Sequence, residues 1–343
     1  MVIELVKEVQ ATQTRHILSV LEKEGLTGYL TNAKAIVVPV KEDSDKLRTM
    51  LKKVPGVSDV IPIHSRYPLV SREYHPENTV VSVNGHLVGA SQPTIMAGPC
   101  SVETQESIID IARGVKKAGG HVLRGGAFKP RSSPYSFQGH GAEGLKMLAE
   151  ARAETGLPVI SEVMSPDTVE LVAAYVDILQ VGARSMQNYP LLKAVGQSQK
   201  PVLLKRGLSA TIEEWLLAAE YILGQGNTNV ILCERGIRTF ENATRNTMDL
   251  NAVPVVQKLT HLPVLVDPSH GVGTSEFVPA LARAGIAAGA AGVLVEVHSN
   301  PAEAWSDGAQ TINLTEFQNM AEDISLIYEA LAQKYHSAKL VHA

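Results

Sequence analysis

Cysteine is scarce in this sequence. Only Cys100 and Cys233 occur in 343 residues, too few for a disulfide framework, which excludes the stapled secreted scaffolds and fits a reducing cytosol. An excess of either charge is also missing. Lys and Arg total 31 against 35 Asp and Glu, a net charge of −4, so no general attraction to nucleic acid or acidic lipid is expected and any basic patch must be local. Long apolar runs are absent as well: the longest uncharged apolar stretch, residues 284–295, is rich in Gly and Ala and well short of the ~20 residues that a spanning helix needs. The opening MVIELVKEVQ carries Glu4, Lys7 and Glu8 and so lacks the unbroken apolar core of a signal peptide. A cytoplasmic chain with no membrane span and no nucleic-acid partner is the expectation. What is present, 45% hydrophobic and 19% charged residues, is the profile of a folded protein large enough for one big domain and a small one.

Residues 1–64 read as strand (2–6), helix (12–24), strand (26–31), strand (35–40), helix (44–53) and strand (57–64). That βαββαβ order is that of a small ferredoxin-like domain, and Gly25 and Gly56 supply stops after the two helices. Residues 65–92 follow as a linker with Pro68 and Pro76 and then a hairpin around Asn84-Gly85. From residue 93 to 343 the pattern becomes a repeated unit of short apolar strand, polar loop and amphipathic helix. The strand candidates are 94–97, 121–123, 159–163, 178–181, 202–204, 230–232, 264–266 and 292–295. Apolar runs of this kind, separated by helices such as 103–118, 212–223 and 315–334, indicate parallel strands buried on both faces. Eight such units predict an α/β fold of the (β/α)8 TIM-barrel type, with a doubly wound sheet as the alternative.

In such a barrel the active site lies at the C-terminal strand ends, and here those ends are charged. Arg124, Lys129, Arg131, Arg184, Lys205, Arg206 and Arg235 would converge on one mouth, where close cations repel unless an anion neutralises them. Arg forks pair bidentately with carboxylate or phosphate, and so many cations point to more than one phosphate-sized group. Gly125-Gly126 and Gly182-Ala183 would let backbone N–H groups approach an oxyanion. Two anionic substrates are expected. A second constellation joins Cys100, His270, Glu296 and either Asp307 or His298. One thiolate, an imidazole and carboxylates suit a single borderline divalent ion such as Mn2+, Fe2+, Co2+ or Zn2+, and their wide spacing indicates a partly open catalytic site instead of a structural zinc knot. Cys233, at the end of the sixth strand, reads as packing, with pairing to Cys100 on oxidation as the alternative.

AGPCSVE (97–103), RGGAFKPRSSPYSFQG (124–139), GAR (182–184), LLKRG (203–207), CERGIRTFE (233–241), DPSHGVG (267–273) and EVH (296–298) together resemble the 3-deoxy-D-arabino-heptulosonate 7-phosphate (DAHP) synthase family across the whole barrel. The N-terminal unit is similar to the ferredoxin-like domain on one branch of that family. The resemblance implies metal coordination by Cys100, His270, Glu296 and Asp307, with His298 as a neighbour. It implies that phosphoenolpyruvate is held by Arg124, Lys129, Gly182, Ala183, Arg184, Lys205 and Arg235, with Asp267 beside them. Erythrose 4-phosphate would be held along Lys129-Pro130-Arg131-Ser132-Ser133, its phosphate on Arg131 and Ser132.

The implied reaction joins C3 of phosphoenolpyruvate to the aldehyde of erythrose 4-phosphate, with water adding at C2 and inorganic phosphate leaving. It is the first step of the shikimate route to the aromatic amino acids. A divalent ion would polarise the aldehyde, Lys129 would act as general acid, and either Glu162 or a water on the ion would activate the attacking water. The small domain would sense an aromatic amino acid, the alternative being a packing or oligomerisation module, and a homo-oligomer, dimer or tetramer, is implied. Two competing readings remain. The related 3-deoxy-8-phosphooctulonate synthases use arabinose 5-phosphate and typically show KANRSS where this chain has KPRSS; a catalytically silent sugar-phosphate sensor would carry damaged ligands, whereas Cys100, His270, Glu296 and Asp307 are all present.

Overall fold

In the computed structural model, which describes residues 1–40, 44–129, 133 and 135–341, the N-terminal unit runs β1 (Val2–Leu5), α1 (Ala11–Lys23), β2 (Tyr29–Leu30), β3 (Ala35–Val37), α2 (Asp45–Leu51) and β4 (Val57–Ile61). Its antiparallel sheet has the order β2-β3-β1-β4. Helix α1 buries Ile17 and Leu21 against Ile3, Ile36, Leu51 and Val60. The strand expected over 26–31 shrinks to Tyr29–Leu30 because the residues before it are spent on ending α1. Gly25 is left-handed (φ 72), and Leu26 donates its N–H back to the Leu21 carbonyl, which closes the helix in a Schellman-type cap.

A hairpin, β5 (Val81–Val83) and β6 (His86–Val88), precedes the barrel. The strands that follow are β7 (Thr94–Gly98), β8 (Val122–Arg124), β9 (Val159–Val163), β10 (Ile178–Val181), β11 (Val202–Lys205), β12 (Val230–Glu234), β13 (Val264–Val266) and β14 (Gly292–Glu296). They pair in parallel and close on themselves. The outer helices are α3 (Gln105–Lys117), α4 (Ala142–Thr155), α5 (Val169–Tyr175), α6 (Tyr189–Gln197), α7 (Ile212–Leu223), α8 (Ala252–Leu259), α10 (Val278–Ala287) and α11 (Leu314–Val341), with α9 (Pro268–Val272) inserted at the end of β13. The doubly wound alternative is thereby excluded. Inside the ring, Met96, Ile160, Leu203, Ile231, Cys233, Leu265 and Leu294 form one cluster with Val81, Val83 and Val88 of the hairpin. The hairpin plugs the N-terminal end, since Asn84 Nδ2 donates at 2.8 Å to Asp177, just before β10, and His86 Nε2 lies 3.0 Å from Thr94 Oγ1, the first residue of β7; the mouth described below lies at the C-terminal end. Cys233 is packing, as its apolar neighbours show.

The segment expected to be a linker is packed. Tyr67, Leu69 and Val70 are buried in the layer between strands and helices, and the Leu69 and Val70 N–H groups each donate to the Glu220 carboxylate of α7 at 3.0 Å. Burial pushes Glu220 up to about 7, against the pull of those two N–H groups. A carboxyl raised in the folded state stabilises the fold below its unfolded value and loses that contribution as pH rises through the folded one. Glu220→Gln is therefore expected to flatten the stability–pH curve between about 4.5 and 7, checked by thermal melts across that range; an unchanged slope would remove Glu220 as its source. Among the described residues no helix is long and apolar enough to cross a membrane.

Candidate active site

Strand pairing carries several charged side chains to the mouth as the last residues of their strands. Arg124 ends β8, Lys205 ends β11, Glu234 ends β12 and Glu296 ends β14, all of them buried. Above them opens a cavity of about 520 Å3 lined by the cations Lys129, Arg184, Arg235, Arg238 and Arg245, by Glu162 and Asp307, and by Ser133, Ala183, Asn246 and His270. Of the expected substrate residues, Arg124, Gly182, Lys205 and Asp267 are absent from that lining; Arg124 and Lys205 are each already paired in the wall. Arg124 Nη1 donates to Glu296 Oε1 at 2.9 Å, while its buried Nε has no partner. Lys205 Nζ meets Asp267 Oδ2 at 2.5 Å. Pro130, Arg131 and Ser132 lie outside the described residues.

At one side of the cavity the Cys100 sulfur, Glu296 and Asp307 place one ligand atom each within 4.8 Å of one another. The thiol donates to Asp307 Oδ2 at 3.0 Å, and Lys129 Nζ donates to the Cys100 carbonyl and sulfur, both at 2.9 Å. Burial and the neighbouring Glu296 push the thiol up to about 12, against the pull of Lys129. Glu296 moves the other way: burial opposes ionisation, but His270, Arg124 and Lys129 hold it at about 2. His270 Nε2 stands 3.4 Å from Glu296 Oε1, at the edge of this cluster. A soft thiol, two carboxylates and an adjacent imidazole fit a borderline divalent ion.

Helix α9 sets the His270 ring. Asp267 caps it, accepting from the His270 N–H at 3.0 Å, and its other oxygen lies 2.7 Å from His270 Nδ1. Burial would raise this carboxyl, yet His270 and Lys205 hold it well below the usual carboxylate range. Burial also lowers His270, which favours the neutral ring that can act as a ligand. His298 is otherwise engaged: its Nδ1 accepts from the Asn300 N–H at 3.0 Å and its Nε2 faces Glu103 at 3.2 Å. Of the two candidates for the last ligand position, Asp307 is the one at the cluster.

The expected convergence of Arg206 on the mouth is corrected by the structure. Its guanidinium donates to Glu234 at 2.9 Å, to Asp249 at 2.7 Å and to the Ala210 carbonyl at 3.0 Å, so its charge is neutralised inside the wall.

A family model described as "DAHP synthetase I family" matches residues 77–331. The chain belongs to that family. Phospho-2-dehydro-3-deoxyheptonate aldolase of Thermotoga maritima is 45% identical over 322 residues, which cover 93% of this chain and 95% of that protein. A crystal structure of the Thermotoga maritima protein, described as DAHP synthase, superposes with a TM-score of 0.78 at 44% identity over 96% of this chain and 97% of that one. The 2-dehydro-3-deoxyphosphooctonate aldolase of Nitrobacter winogradskyi is 32% identical over 273 residues, 74% of this chain and 94% of that protein.

For a DAHP synthetase I family member, the cations read at the strand termini were only part of the mouth. Arg238, Arg245 and Asn246 come from the long loop 235–251, which folds back through the Ile237–Thr247 antiparallel bridge and stands beside the cavity. Gly236 (φ 83) permits this, since a Cβ there would meet Asn246 Cβ at 2.8 Å and Gly271 Cα at 3.0 Å. Arg245 Nη1 donates to Gln310 Oε1 at 2.6 Å, and the Gln310 amide donates in turn to Glu296 Oε2 at 2.5 Å. Reading only the residue at each strand end missed these side chains; the length of the loop and its repeated arginines were the available signal for Arg238, Arg245 and Asn246, and nothing in the sequence marked Gln310. Glu162 rests directly on Gly182, where a Cβ would come within 2.1 Å of its Oε1. Since φ at Gly182 is −68°, Gly182→Ala brings no backbone strain and only pushes the carboxylate aside. Stability should fall by about 1 kcal/mol or less, because only the flexible end of Glu162 has to move, while kcat falls roughly ten- to a hundredfold. Melting curves and steady-state rates check this, and an unchanged kcat would show that the position of Glu162 is immaterial.

Proposed function

We propose that the chain is a 3-deoxy-7-phosphoheptulonate (DAHP) synthase that condenses phosphoenolpyruvate with erythrose 4-phosphate and water to give DAHP and inorganic phosphate. The observation that carries this reading is the thiol–carboxylate cluster set in a mouth lined by five cations, in a chain whose likeness to a heptonate aldolase runs nearly end to end. A divalent ion held by Cys100, Glu296, Asp307 and His270 would polarise the aldehyde carbonyl.

The remaining steps belong to the side chains. Arg184 and Arg235 hold the phosphoenolpyruvate phosphate and carboxylate by bidentate pairing, with the unpartnered Nε of Arg124 and the Lys205–Asp267 pair behind them. Ser133, together with Pro130, Arg131 and Ser132, receives erythrose 4-phosphate and sets the acceptor specificity. C3 of phosphoenolpyruvate attacks the aldehyde carbon, forming the new C–C bond. Lys129, already 2.9 Å from the Cys100 sulfur, delivers a proton to the carbonyl oxygen as its charge develops. Water adds at C2 and gives its proton to Glu162, and the C2–O bond then breaks to release phosphate.

The N-terminal unit is ferredoxin-like, as its βαββαβ order and β2-β3-β1-β4 sheet support. Residues 1–64 form this regulatory domain, 65–92 join it to the barrel, and 93–343 are catalytic. It senses an aromatic amino acid, and exposed Tyr29 and Leu30 on edge strand β2 support association between copies as a homo-oligomer. The protein acts in the cytoplasm on small phosphorylated metabolites.

The test is phosphate release from phosphoenolpyruvate with erythrose 4-phosphate or arabinose 5-phosphate, before and after chelation and then with each aromatic amino acid. Release with the four-carbon aldose alone, abolished by chelator and restored by Mn2+, is the expected result. Release only with arabinose 5-phosphate would overturn the reading.

A further inference from the structure

We propose that Glu103 is a positioning residue for the metal corner. Its buried carboxylate straps the loop after β14 to the loop after β7 and thereby holds Asp307 against Cys100. This rests on the metal-dependent reading above and adds to it a residue that binds neither ion nor substrate.

Glu103 is 8% exposed, and both of its oxygens are used. Oε1 accepts the Trp305 backbone N–H at 2.8 Å. Oε2 lies 3.2 Å from His298 Nε2. Because His298 Nδ1 already accepts the Asn300 N–H at 3.0 Å, the ring proton sits on Nε2 and donates to Glu103. The Glu103 backbone carbonyl meets His140 Nε2 at 2.8 Å, which brings in the loop after β8. A second tie, Ser101 Oγ to Ser306 Oγ at 2.6 Å, runs alongside.

Each attachment falls next to a ligand. Glu103 follows Cys100 by three positions, Trp305 precedes Asp307 by two, and His298 follows Glu296 by two. One carboxylate therefore sets the spacing of three donors drawn from two loops and the end of β14. The strap ends two residues before a left-handed backbone at Asp307, φ 51, ψ 32. A side-chain-bearing residue adopts that conformation infrequently and is kept there by its surroundings. With Trp305 released, the Ser101–Ser306 tie is what remains of the link between the two loops beside Asp307, and the thiol and carboxylate would be held less closely to the separation an ion requires. Partners one shell out from the ligands act in this way in metal sites, where their loss weakens binding about 10- to 100-fold.

The experiment titrates the purified full-length protein with Co2+, following the near-ultraviolet thiolate-to-cobalt band, for wild type, Glu103→Ala, Glu103→Gln, Asp307→Asn and the double variant Glu103→Gln/Asp307→Asn. Glu103→Ala is expected to raise the Kd about 10- to 100-fold. Glu103→Gln should fall between it and wild type, since its oxygen still accepts from Trp305 but its amide opposes the His298 N–H. In the Asp307→Asn background the Glu103→Gln change should have little further effect, because two residues acting through one contact are not additive. A Kd unchanged by Glu103→Gln, or effects that simply add in the double variant, would overturn the proposal even if melting temperatures fall. Should Glu103→Ala fail to fold, the Gln cycle decides alone. If wild type binds no Co2+, the metal-dependent reading fails before any variant is compared, and the strap falls with it.

Discussion

Cys100→Ser is expected to lower kcat by about a thousandfold while leaving the melting temperature close to that of the parent. Polarisation of a carbonyl by an ion contributes several kcal/mol to the barrier, and each 1.36 kcal/mol is a decade in rate. The thiol supplies the soft donor of the cluster. Burial and Glu296 hold it up to about 12, so it keeps its proton until a cation arrives, and binding must release that proton. A serine hydroxyl is far harder to ionise and is a poorer donor to borderline ions, while its size and its ability to donate to Asp307 leave the packing intact. Phosphate release at saturating Mn2+, compared with a thermal melt of the same protein, checks the expectation. A full rate in Cys100→Ser would remove the sulfur from catalysis. Because ionised donors are required, metal affinity should also rise with pH.

The largest loss of stability is expected away from the chemistry, at Arg206→Leu. Its guanidinium lies between Glu234, which is fully buried, and Asp249. Burial raises Glu234, and Arg206 is the first of the groups that pull it back. Removing one partner of a buried pair destabilises by about 3–5 kcal/mol because the other charge is left without compensation. In the variant Glu234 would rise further, so it would hold a proton in the folded state over pH values where the unfolded chain does not. Stability then falls as pH increases, and the deficit against wild type should be smaller at pH 5 than at pH 7.5. Arg206→Leu/Glu234→Leu should recover most of the loss, since a pair can be replaced by apolar residues at little cost. Denaturant melts at the two pH values test both statements; a deficit independent of pH would place the damage elsewhere.

The barrel was legible because strands buried on both faces must be apolar throughout, and that signal survives without knowledge of partners. Their C-terminal limits were less so. Lys205 still pairs with Cys233, and Arg124 with Ile160, in the ladder, so the sheet continues one residue beyond the point where polarity begins. The same alternation explains the error at Arg206. Adjacent residues at a strand end face opposite sides, and with Lys205 turned toward Asp267 its neighbour turns toward Asp249. Among the site residues, Cys100, His270 and Glu296 were readable as chemically matched donors, whereas Asp307 stood level with His298 until the family resemblance separated them. Gln310 and Glu103 were not, because an amide or a carboxylate that orients a ligand looks like any other polar residue until its hydrogen bonds are seen.

The valine hairpin under the barrel bears on how the chain can be divided. Val81, Val83 and Val88 cover the inner ends of the strands, and fully burying one such side chain contributes about 1.5–3 kcal/mol. Excision immediately before Thr94 would strip away that stopper and wet the apolar ring beneath it. A shortened enzyme should instead begin upstream of Tyr67, leaving both the stopper and the segment clasped by Glu220 in place.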